Sequence, residues 1–354
     1  MAEQSSDHQS KKSRSRKYII EDNTTIVPLD DNRTHPESTL QEAILSKSQA
    51  DRLLDQAIKQ KQSGQFGAAR KNLDQAASIY KTLPDQQGLS RVFYYLGLTA
   101  YAVGDYKVAI EEAKTSLAIA RSLDNQRLEA QLLGNLGNSY RHLEDYTKAI
   151  ECQQQSLKIL RQLQDQKGEM AALNNLGLAY KGLGNHDGAI DCQKQSLLLA
   201  KALGDYKTQG QILKNLGNAY YALGNYAQAI EFYEQRLEIA RAQGNQRNEL
   251  QILRNLGNAC YTLGDYERTL SYAKQRLDTA RIVGDQRAEE QSLSSLGVVY
   301  DALGDYAQAI EYYEQRLKVA RSIPDTRVEE QTLGNLRVAC YALGDYAKVM
   351  KYQQ

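Results

Sequence analysis

One dipeptide, Leu-Gly, recurs at a constant interval of 40 residues along most of this chain. Seven copies of the surrounding phrase follow one another from residue 85 to the C-terminus, and no residue is inserted or lost between copies. A constant period in this range, with each copy built of helical patterns, predicts a solenoid whose neighbouring units bury one another's apolar faces. The dipeptide stands at Leu96-Gly97, Leu136-Gly137, Leu176-Gly177, Leu216-Gly217, Leu256-Gly257 and Leu296-Gly297, and the seventh copy has Leu336 followed by Arg337.

Each copy predicts two helices separated by a short turn. In residues 206–242, apolar residues such as Leu216 and Tyr220 recur at three- and four-residue steps, and a second such run follows Gly224 and Asn225. Steps of three and four place side chains on one face of an α-helix. Glycine tolerates the left-handed conformation that ends a helix, and asparagine accepts hydrogen bonds from the first amides of the next one. The pattern therefore predicts an all-α solenoid of antiparallel helix pairs.

The residues of this copy resemble a known repeat family. Asn-Leu-Gly-Asn-Ala-Tyr-Tyr at 215–221, Gly-Asn-Tyr at 224–226 and Ala-Ile at 229–230 are similar to the tetratricopeptide repeat, whose usual length is about 34 residues. The lengthened unit, with phrases such as residues 234–241, resembles the repeats of Pins-type adaptors and, more distantly, those of rapsyn and kinesin light chains. The resemblance covers roughly residues 45–354 and implies a right-handed superhelical solenoid, a tetratricopeptide-repeat array.

Composition and repeat quality predict three regions. Residues 1–36 are rich in Ser, Asp, Asn and charge, and are predicted to be a disordered polar tail. Residues 45–84 hold a degenerate repeat, with helices expected near 45–63 and 66–82, that would cap the array. Residues 85–354 hold seven 40-residue repeats, the last of them truncated. A partner, a second subunit or fraying of the last helix is expected at that open end, so self-association there is one expectation.

The bulk composition favours a cytoplasmic, non-membrane protein. The formal net charge is +1, so the array has no positive excess to drive phosphate binding, and nucleic acid is an unlikely ligand except weakly through the Lys11–Lys17 tail. That basic cluster is also compatible with a localisation signal, a phosphorylation-tunable tail or a solvated tail with no partner. No stretch approaches the eighteen apolar residues of a membrane span, and the tail lacks a secretory apolar core.

No constellation typical of an enzyme is present in the sequence. The four cysteines and four histidines are scattered without metal-ligand spacing, and no glycine-rich phosphate loop follows a strand pattern. We therefore expect no catalytic residue, metal or cofactor, and expect the cysteines to be small buried side chains. The cysteines are Cys152, Cys192, Cys260 and Cys340, and the histidines are His8, His35, His142 and His186.

The resemblance implies that the first helix of each repeat lines a concave groove. Polar, aromatic and basic side chains occupy the groove positions in the middle of the array, where asparagine amides would bond to an extended peptide backbone and cations would pair with carboxylates. Lys214 and Asn218 match the Lys and Asn of carboxylate-clamp domains, and Asn255 matches a further clamp asparagine, but Gln251 stands where a clamp lysine is expected. The predicted groove residues are Asn138, Arg141, Lys181, Lys214, Asn218, Tyr221, Arg254, Asn258 and Tyr261.

Two further sets of polar residues have structural interpretations. Asn215, Asn255 and their counterparts are expected to hydrogen-bond to neighbouring helices. Arg236, Arg276 and Arg316 stand where shorter repeats usually have alanine, and are expected to bridge to acidic residues of the next helix such as Glu249 or Glu289. Neither set is assigned to the groove.

The leading functional hypothesis is a non-enzymatic adaptor or scaffold for protein–protein interaction. Its concave groove would bind an extended, acidic peptide segment of a partner protein. The alternatives are a regulatory peptide sensor whose superhelix changes pitch when a peptide binds, and a self-associating scaffold.

Overall fold

The computed structural model describes residues 18–19, 27–28, 36–323 and 326–353. Helices make up nearly all of these residues, and two very short strands pair antiparallel. The rest of the predicted polar tail, with its basic cluster, lies outside the described residues. The elements are β1 Tyr18–Ile19, β2 Val27–Pro28, α1 Pro36–Gln62, α2 Phe66–Thr82, α3 Gln86–Ala102, α4 Tyr106–Ser122, α5 Gln126–His142, α6 Tyr146–Gln162, α7 Gln166–Gly182, α8 His186–Ala202, α9 Tyr206–Ala222, α10 Tyr226–Ala242, α11 Gln246–Leu263, α12 Tyr266–Val283, α13 Gln286–Ala302, α14 Tyr306–Ala320, α15 Thr326–Leu343 and α16 Tyr346–Lys351.

The chain forms two compact units, Met1–Thr99 and Ala100–Gln354. In the first unit α1 packs along α2, and the hydroxyl of Tyr80 donates a hydrogen bond to the Asp51 carboxylate at 2.6 Å. Helix α1 begins at Pro36, earlier than expected, whereas α2 has the expected bounds. That this pair caps the array remains a prediction.

The second unit consists of consecutive antiparallel helix pairs, each packed on the next. The direction of the helices is visible in two bonds between α6 and α5. Ser156 donates its hydroxyl to the Ala130 carbonyl at 2.8 Å, and Gln153, earlier on α6, donates to the Gly134 carbonyl, later on α5, at 2.9 Å. The predicted all-α solenoid of helix pairs is confirmed.

An Asp or Asn begins nearly every helix of the second unit. Its side chain accepts a hydrogen bond from the backbone amide three residues later, as Asp205 does from Thr208 at 3.0 Å. Such a cap stabilises a helix by about 1 kcal/mol, and the caps recur every 20 residues because two helices and their turns fill each 40-residue repeat. The capping residues are Asp105, Asn125, Asp145, Asp165, Asn185, Asp205, Asn225, Asn245, Asp265, Asp285, Asp305 and Asp345.

The last helix, α16, is anchored to an earlier helix pair. The Tyr352 hydroxyl donates to the Glu314 carboxylate at 2.7 Å, and the Lys348 ammonium lies 3.2 Å from the same carboxylate. Tyr352 is buried, so the residue that follows the short final helix packs against α14.

The residue before each cap adopts a left-handed backbone. Glycine usually stands there, as at Gly224 with φ of +75°, but Glu144 holds the same place with φ of +61°. A residue with a Cβ in this conformation costs roughly 1–2 kcal/mol. The sequence therefore carries local strain at three such turns, where Asp124, Glu144 and Gln164 replace glycine.

Replacing Glu144 by glycine is expected to stabilise the protein by about 1 kcal/mol, because the left-handed strain disappears. The converse change, Gly224→Ala, is expected to destabilise it by a similar amount. Urea unfolding followed by circular dichroism measures both. Equal midpoints for wild type and Glu144→Gly would contradict the strain at this turn.

The glycine of four Leu-Gly dipeptides, at Gly137, Gly177, Gly217 and Gly297, allows the paired helices to approach closely. Leu216 is fully buried, and a Cβ added to Gly217 would overlap the ring of Tyr233 on α10. Gly257, its counterpart in the next repeat, faces open space, because Ala273 replaces the tyrosine. The same glycine position is therefore tightly packed in one repeat and spacious in the next.

Alanine at these two glycines is expected to have opposite effects. Gly217→Ala should destabilise the protein by about 1–3 kcal/mol, since overpacking forces the helices apart. Gly257→Ala should stabilise it by up to about 1 kcal/mol, because alanine is the better helix former and meets no neighbour. Thermal and urea unfolding of the two variants measures the difference. Equal effects at both positions would contradict this account of the helix contact.

Candidate functional site

Three of the predicted groove residues line one cavity. Arg254, Asn258 and Tyr261 lie on successive turns of α11 and border a space of about 180 Å³. Ser294 and Val298 occupy the corresponding positions of the next repeat, on α13, and line the same space. Equivalent positions of neighbouring first helices are therefore adjacent here. We call this cavity the α11–α13 pocket.

Lys214 borders a different and larger pocket of about 800 Å³. Lys207 and Arg236 also line it, together with Asn174 of α7, the counterpart of Lys214 in the preceding repeat. Three cationic side chains from α9 and α10 thus surround one pocket. We call it the Arg236 pocket.

Asn218 and Tyr221, also predicted for the groove, are engaged within their own repeat. The Asn218 amide oxygen accepts a hydrogen bond from the Tyr233 hydroxyl at 2.7 Å. Burial raises the pKa of Tyr233 to about 12, so its phenol stays protonated and remains a donor at neutral pH. The Tyr221 ring meets Tyr226 edge-on at 5.1 Å between centroids.

One of the two predicted residues of α5, Arg141, lies beside an aromatic cluster formed by Tyr101, Tyr106 and His142. Arg141 Nη2 lies 3.2 Å from the Nε2 atom of His142, whose ring stacks on Tyr106 with centroids 4.5 Å apart. Burial, and then the nearby Arg141 charge, lowers the pKa of His142, so the imidazole is neutral at pH 7. Asn138 Oδ1 and Arg141 Nε are buried and have no hydrogen-bond partner among the described residues. Lys181, on α7, is exposed.

The inner asparagines bond within their own helices. Asn215 accepts from Gln211 at 3.2 Å and Asn255 accepts from Gln251 at 3.1 Å, each four residues earlier. The expected bonds to neighbouring helices are thus replaced by bonds one turn away, because both side chains project along the same helix face.

The prediction that Glu249 and Glu289 pair with the second-helix arginines Arg236, Arg276 and Arg316 is wrong. Glu249 and Glu289 pair instead with Arg241 and Arg281, at 2.7 and 2.8 Å, across the turn between consecutive helices. These glutamates lie eight residues after an arginine at a helix end, which places the two charges on the same side of the turn.

Arg276 and Arg316 are satisfied inside the array by different groups. Arg316 forms a buried ion pair with Glu290 of α13, with Nε and Oε1 2.6 Å apart. Arg276 donates to the Leu250 carbonyl at 3.2 Å and to Gln291 at 2.8 Å. Both arginines therefore have the structural role that the sequence indicates, although with other partners.

Arg236 differs from these two arginines. It is 9% exposed, and its Nη1 atom is buried with no hydrogen-bond partner among the described residues. The place that Glu290 holds for Arg316 is held here by Gly210, and a Cβ on this glycine would meet nothing within 4 Å. Arg316 Nη1 also lacks a partner, but Glu290 neutralises that guanidinium. Burial lowers the pKa of Arg236, as it also lowers the pKa of Arg276, because a low-dielectric surrounding disfavours the charged form.

The two arginines are expected to respond oppositely to methionine. Arg316→Met leaves Glu290 buried without its partner, and should cost about 3–5 kcal/mol. Arg236→Met removes a charge that nothing neutralises, and should leave stability unchanged or raise it. Chemical denaturation of both variants measures these effects. A large loss of stability in Arg236→Met would show that its guanidinium is structural.

Metal ligands, reactive thiols and membrane-spanning helices were considered among the described residues. They contain no cluster of His, Cys, Asp or Glu able to hold a metal ion. Burial raises the pKa of Cys152, Cys192 and Cys260 to about 11, so these thiols are protonated and unreactive at neutral pH. In the part of the chain that the structure describes, no helix has the length and apolar character that a membrane span requires.

The tetratricopeptide repeat family model matches four overlapping windows of the chain. They are residues 128–202, 168–242, 208–282 and 248–322, which together span residues 128–322, more than half of the chain. No curated protein matches the chain.

Several solved structures resemble the fold. A Signal Transduction ATPase with Numerous Domains from Pyrococcus horikoshii, with a tetratricopeptide repeat sensor, is 17% identical with a TM-score of 0.57, over 90% of this chain and 52% of that one. This chain thus spans about half the length of that protein. The apo quorum sensor NprR from B. thuringiensis is 17% identical with a TM-score of 0.54, over 90% of each chain. Aspartyl phosphate phosphatase F from Bacillus subtilis is 14% identical with a TM-score of 0.55, over 81% of this chain and 74% of that one.

Proposed function

Since the chain belongs to the tetratricopeptide repeat family, we propose that it is a non-enzymatic adaptor that binds an extended, acidic segment of a partner protein. The observation that carries this proposal is the uncompensated guanidinium of Arg236 in a pocket lined by two lysines. The partner's acidic side chains would supply the negative charge that this repeat lacks.

The comparison with Arg316 supports a carboxylate as the group that would pair with Arg236. Glu290 satisfies Arg316 from the first helix of its own repeat, and Gly210 leaves that place vacant for Arg236. A buried charge without a partner costs several kcal/mol, and an arginine–carboxylate pair is among the strongest hydrogen-bonded pairs. A carboxylate from outside the chain fits the place that Glu290 fills.

The remaining charges around the pocket favour an anion. Lys207 and Lys214 add positive charge, and the carboxylate that also lines the pocket, Asp205, is already engaged as the cap of α9. Its oxygens accept from the Thr208 amide and hydroxyl at 3.0 and 2.6 Å. Arg254, exposed on the next first helix, offers a second cation for a further acidic residue of the same segment.

Glutamate in place of Gly210 tests the proposal from inside the chain. The new carboxylate is expected to pair with Arg236 as Glu290 pairs with Arg316, and so to weaken binding of a synthetic polyglutamate peptide by at least about tenfold, as loss of one charge-assisted pair implies. Fluorescence anisotropy of the labelled peptide measures the affinity. Ala227→Glu, an exposed position on α10 with the same change in charge, is the matched control and should change the affinity little.

The double variant Lys214→Glu/Arg254→Glu tests the wider surface. It should abolish peptide binding and leave helicity and melting temperature nearly unchanged, because Lys214 is half-buried, Arg254 is exposed and neither forms an ion pair within the described residues. Undiminished polyglutamate binding by folded Gly210→Glu and by the double variant would refute the proposed function.

A further inference from the structure

The turn from α8 to α9 lacks an ion pair that the equivalent turns have. From α4 onward, six turns join a second helix to the next first helix, and five of them are closed by an arginine and a glutamate eight residues later, with Nε and Oε1 2.7 or 2.8 Å apart. At the sixth, Lys201 and Gln209 replace them. The five pairs are Arg121–Glu129, Arg161–Glu169, Arg241–Glu249, Arg281–Glu289 and Arg321–Glu329.

Lys201 and Gln209 hold this turn by weaker bonds. A bridging guanidinium such as that of Arg241 also donates to a glutamine of the following second helix, 34 residues later, at 2.7 Å. Lys201 keeps only this second bond, to Gln235 at 3.1 Å. Gln209 donates instead to a backbone carbonyl of α8 at 3.1 Å. That bond joins two neutral groups, and such a bond is roughly half as strong as a charge-assisted one.

Gly210 loosens the first turns of α9 further. In four other repeats a buried side chain stands at this position. Glycine offers no side chain to pack, and it destabilises a helix interior relative to alanine. Ile212 and Leu213 are fully buried, so the loosening is confined to residues 206–211, which we call the α9 start. The buried counterparts of Gly210 are Ala130, Met170, Leu250 and Glu290.

The α9 start forms one wall of the Arg236 pocket. Residues 206–208, 210 and 211 all line that pocket. Arg236 is nine-tenths buried, and its Nη1 atom is fully covered. A carboxylate from outside can therefore pair with Nη1 only after a part of the surrounding wall has moved. The wall that is held by the weakest bonds is the α9 start.

We propose that the α9 start is a gate, which opens locally at the weakened α8–α9 turn and admits a carboxylate of the partner segment to Arg236. Segments of low local stability open in this way while the rest of a protein stays folded. This inference rests on the proposed function, because it describes how the acidic segment reaches its site. The opening itself is a property of the free protein, and so can be measured without a partner.

Hydrogen exchange of the free, full-length protein tests the gate, with mass spectrometry as the readout. The amides of residues 210–213 donate to carbonyls of the α9 start, so they exchange when it opens. Their protection factors are expected to be at least about threefold lower than those of residues 250–253, as loss of one partly exposed ion pair implies. Equal protection of the two segments would overturn the proposal.

Variants move the weakness between repeats. Lys201→Arg/Gln209→Glu restores the pair and should raise protection of residues 210–213 about threefold, whereas Arg241→Lys/Glu249→Gln should lower that of residues 250–253 by the same factor. Gly210→Ala changes no charge, and its Cβ would meet nothing within 4 Å. It should raise protection of residues 210–213 about fourfold, as the difference in helix propensity implies. Unchanged protection in both variants of the α8–α9 turn would contradict the gate.

Access to Arg236 is measured by labelling with phenylglyoxal, an uncharged reagent for arginine. Gly210→Ala should slow labelling of Arg236 about fourfold, as its gate opens less often. Arg276, the buried counterpart one repeat later, is the internal control and should react at the same rate in both proteins. An unchanged rate at Arg236 would show that the α9 start is not its gate. Because neither measurement uses a peptide, the gate and polyglutamate binding can fail independently.

Discussion

In four repeats of this array, the two helices are paired through a contact between a first-helix glycine and a second-helix side chain sixteen residues later. Glycine allows the two backbones to approach closely, and the opposing side chain fills the remaining space. Because the repeat has a constant length, this contact recurs in register, and the caps, turns and neighbouring interfaces recur with it. A repeat that differs from the others can therefore be recognised by comparing equivalent positions.

Two local differences between repeats give the array its candidate binding properties. At Gly257 the opposing side chain is reduced to Ala273, and a cavity results. At Gly210 the acidic side chain that neutralises an arginine elsewhere is missing, and a buried charge results. Both cost stability in the free protein, one through lost packing and the other through an unpaired charge. A partner carboxylate that pairs with Arg236 would recover part of the second cost.

Parts of the candidate site followed from the sequence, and parts did not. The period placed Arg254, Asn258 and Lys214 on first helices, where they border pockets, and their role in binding a peptide stays a prediction. It did not reveal that Asn218 is already bonded to Tyr233, or that Arg236 lacks a counterion. A signal for Arg236 was present in the repeat register, since Gly210 and Glu290 are equivalent positions. The sequence does not show that Arg316 pairs with Glu290, so the difference between Gly210 and Glu290 could not be interpreted from it. The sensor and self-association alternatives remain predictions.

The sequence by itself determined the helix pairs, the helix caps at 20-residue intervals and the solenoid class. These features depend on periodic apolar residues and on glycine, Asp and Asn at fixed turns. Such features act within a few residues of their own position, so a linear pattern records them. The tertiary structure decided which polar side chains are satisfied and where space remains. Those outcomes depend on side chains brought together from different helices, such as Arg316 with Glu290 or Gly257 with Ala273, and on rotamers that packing selects.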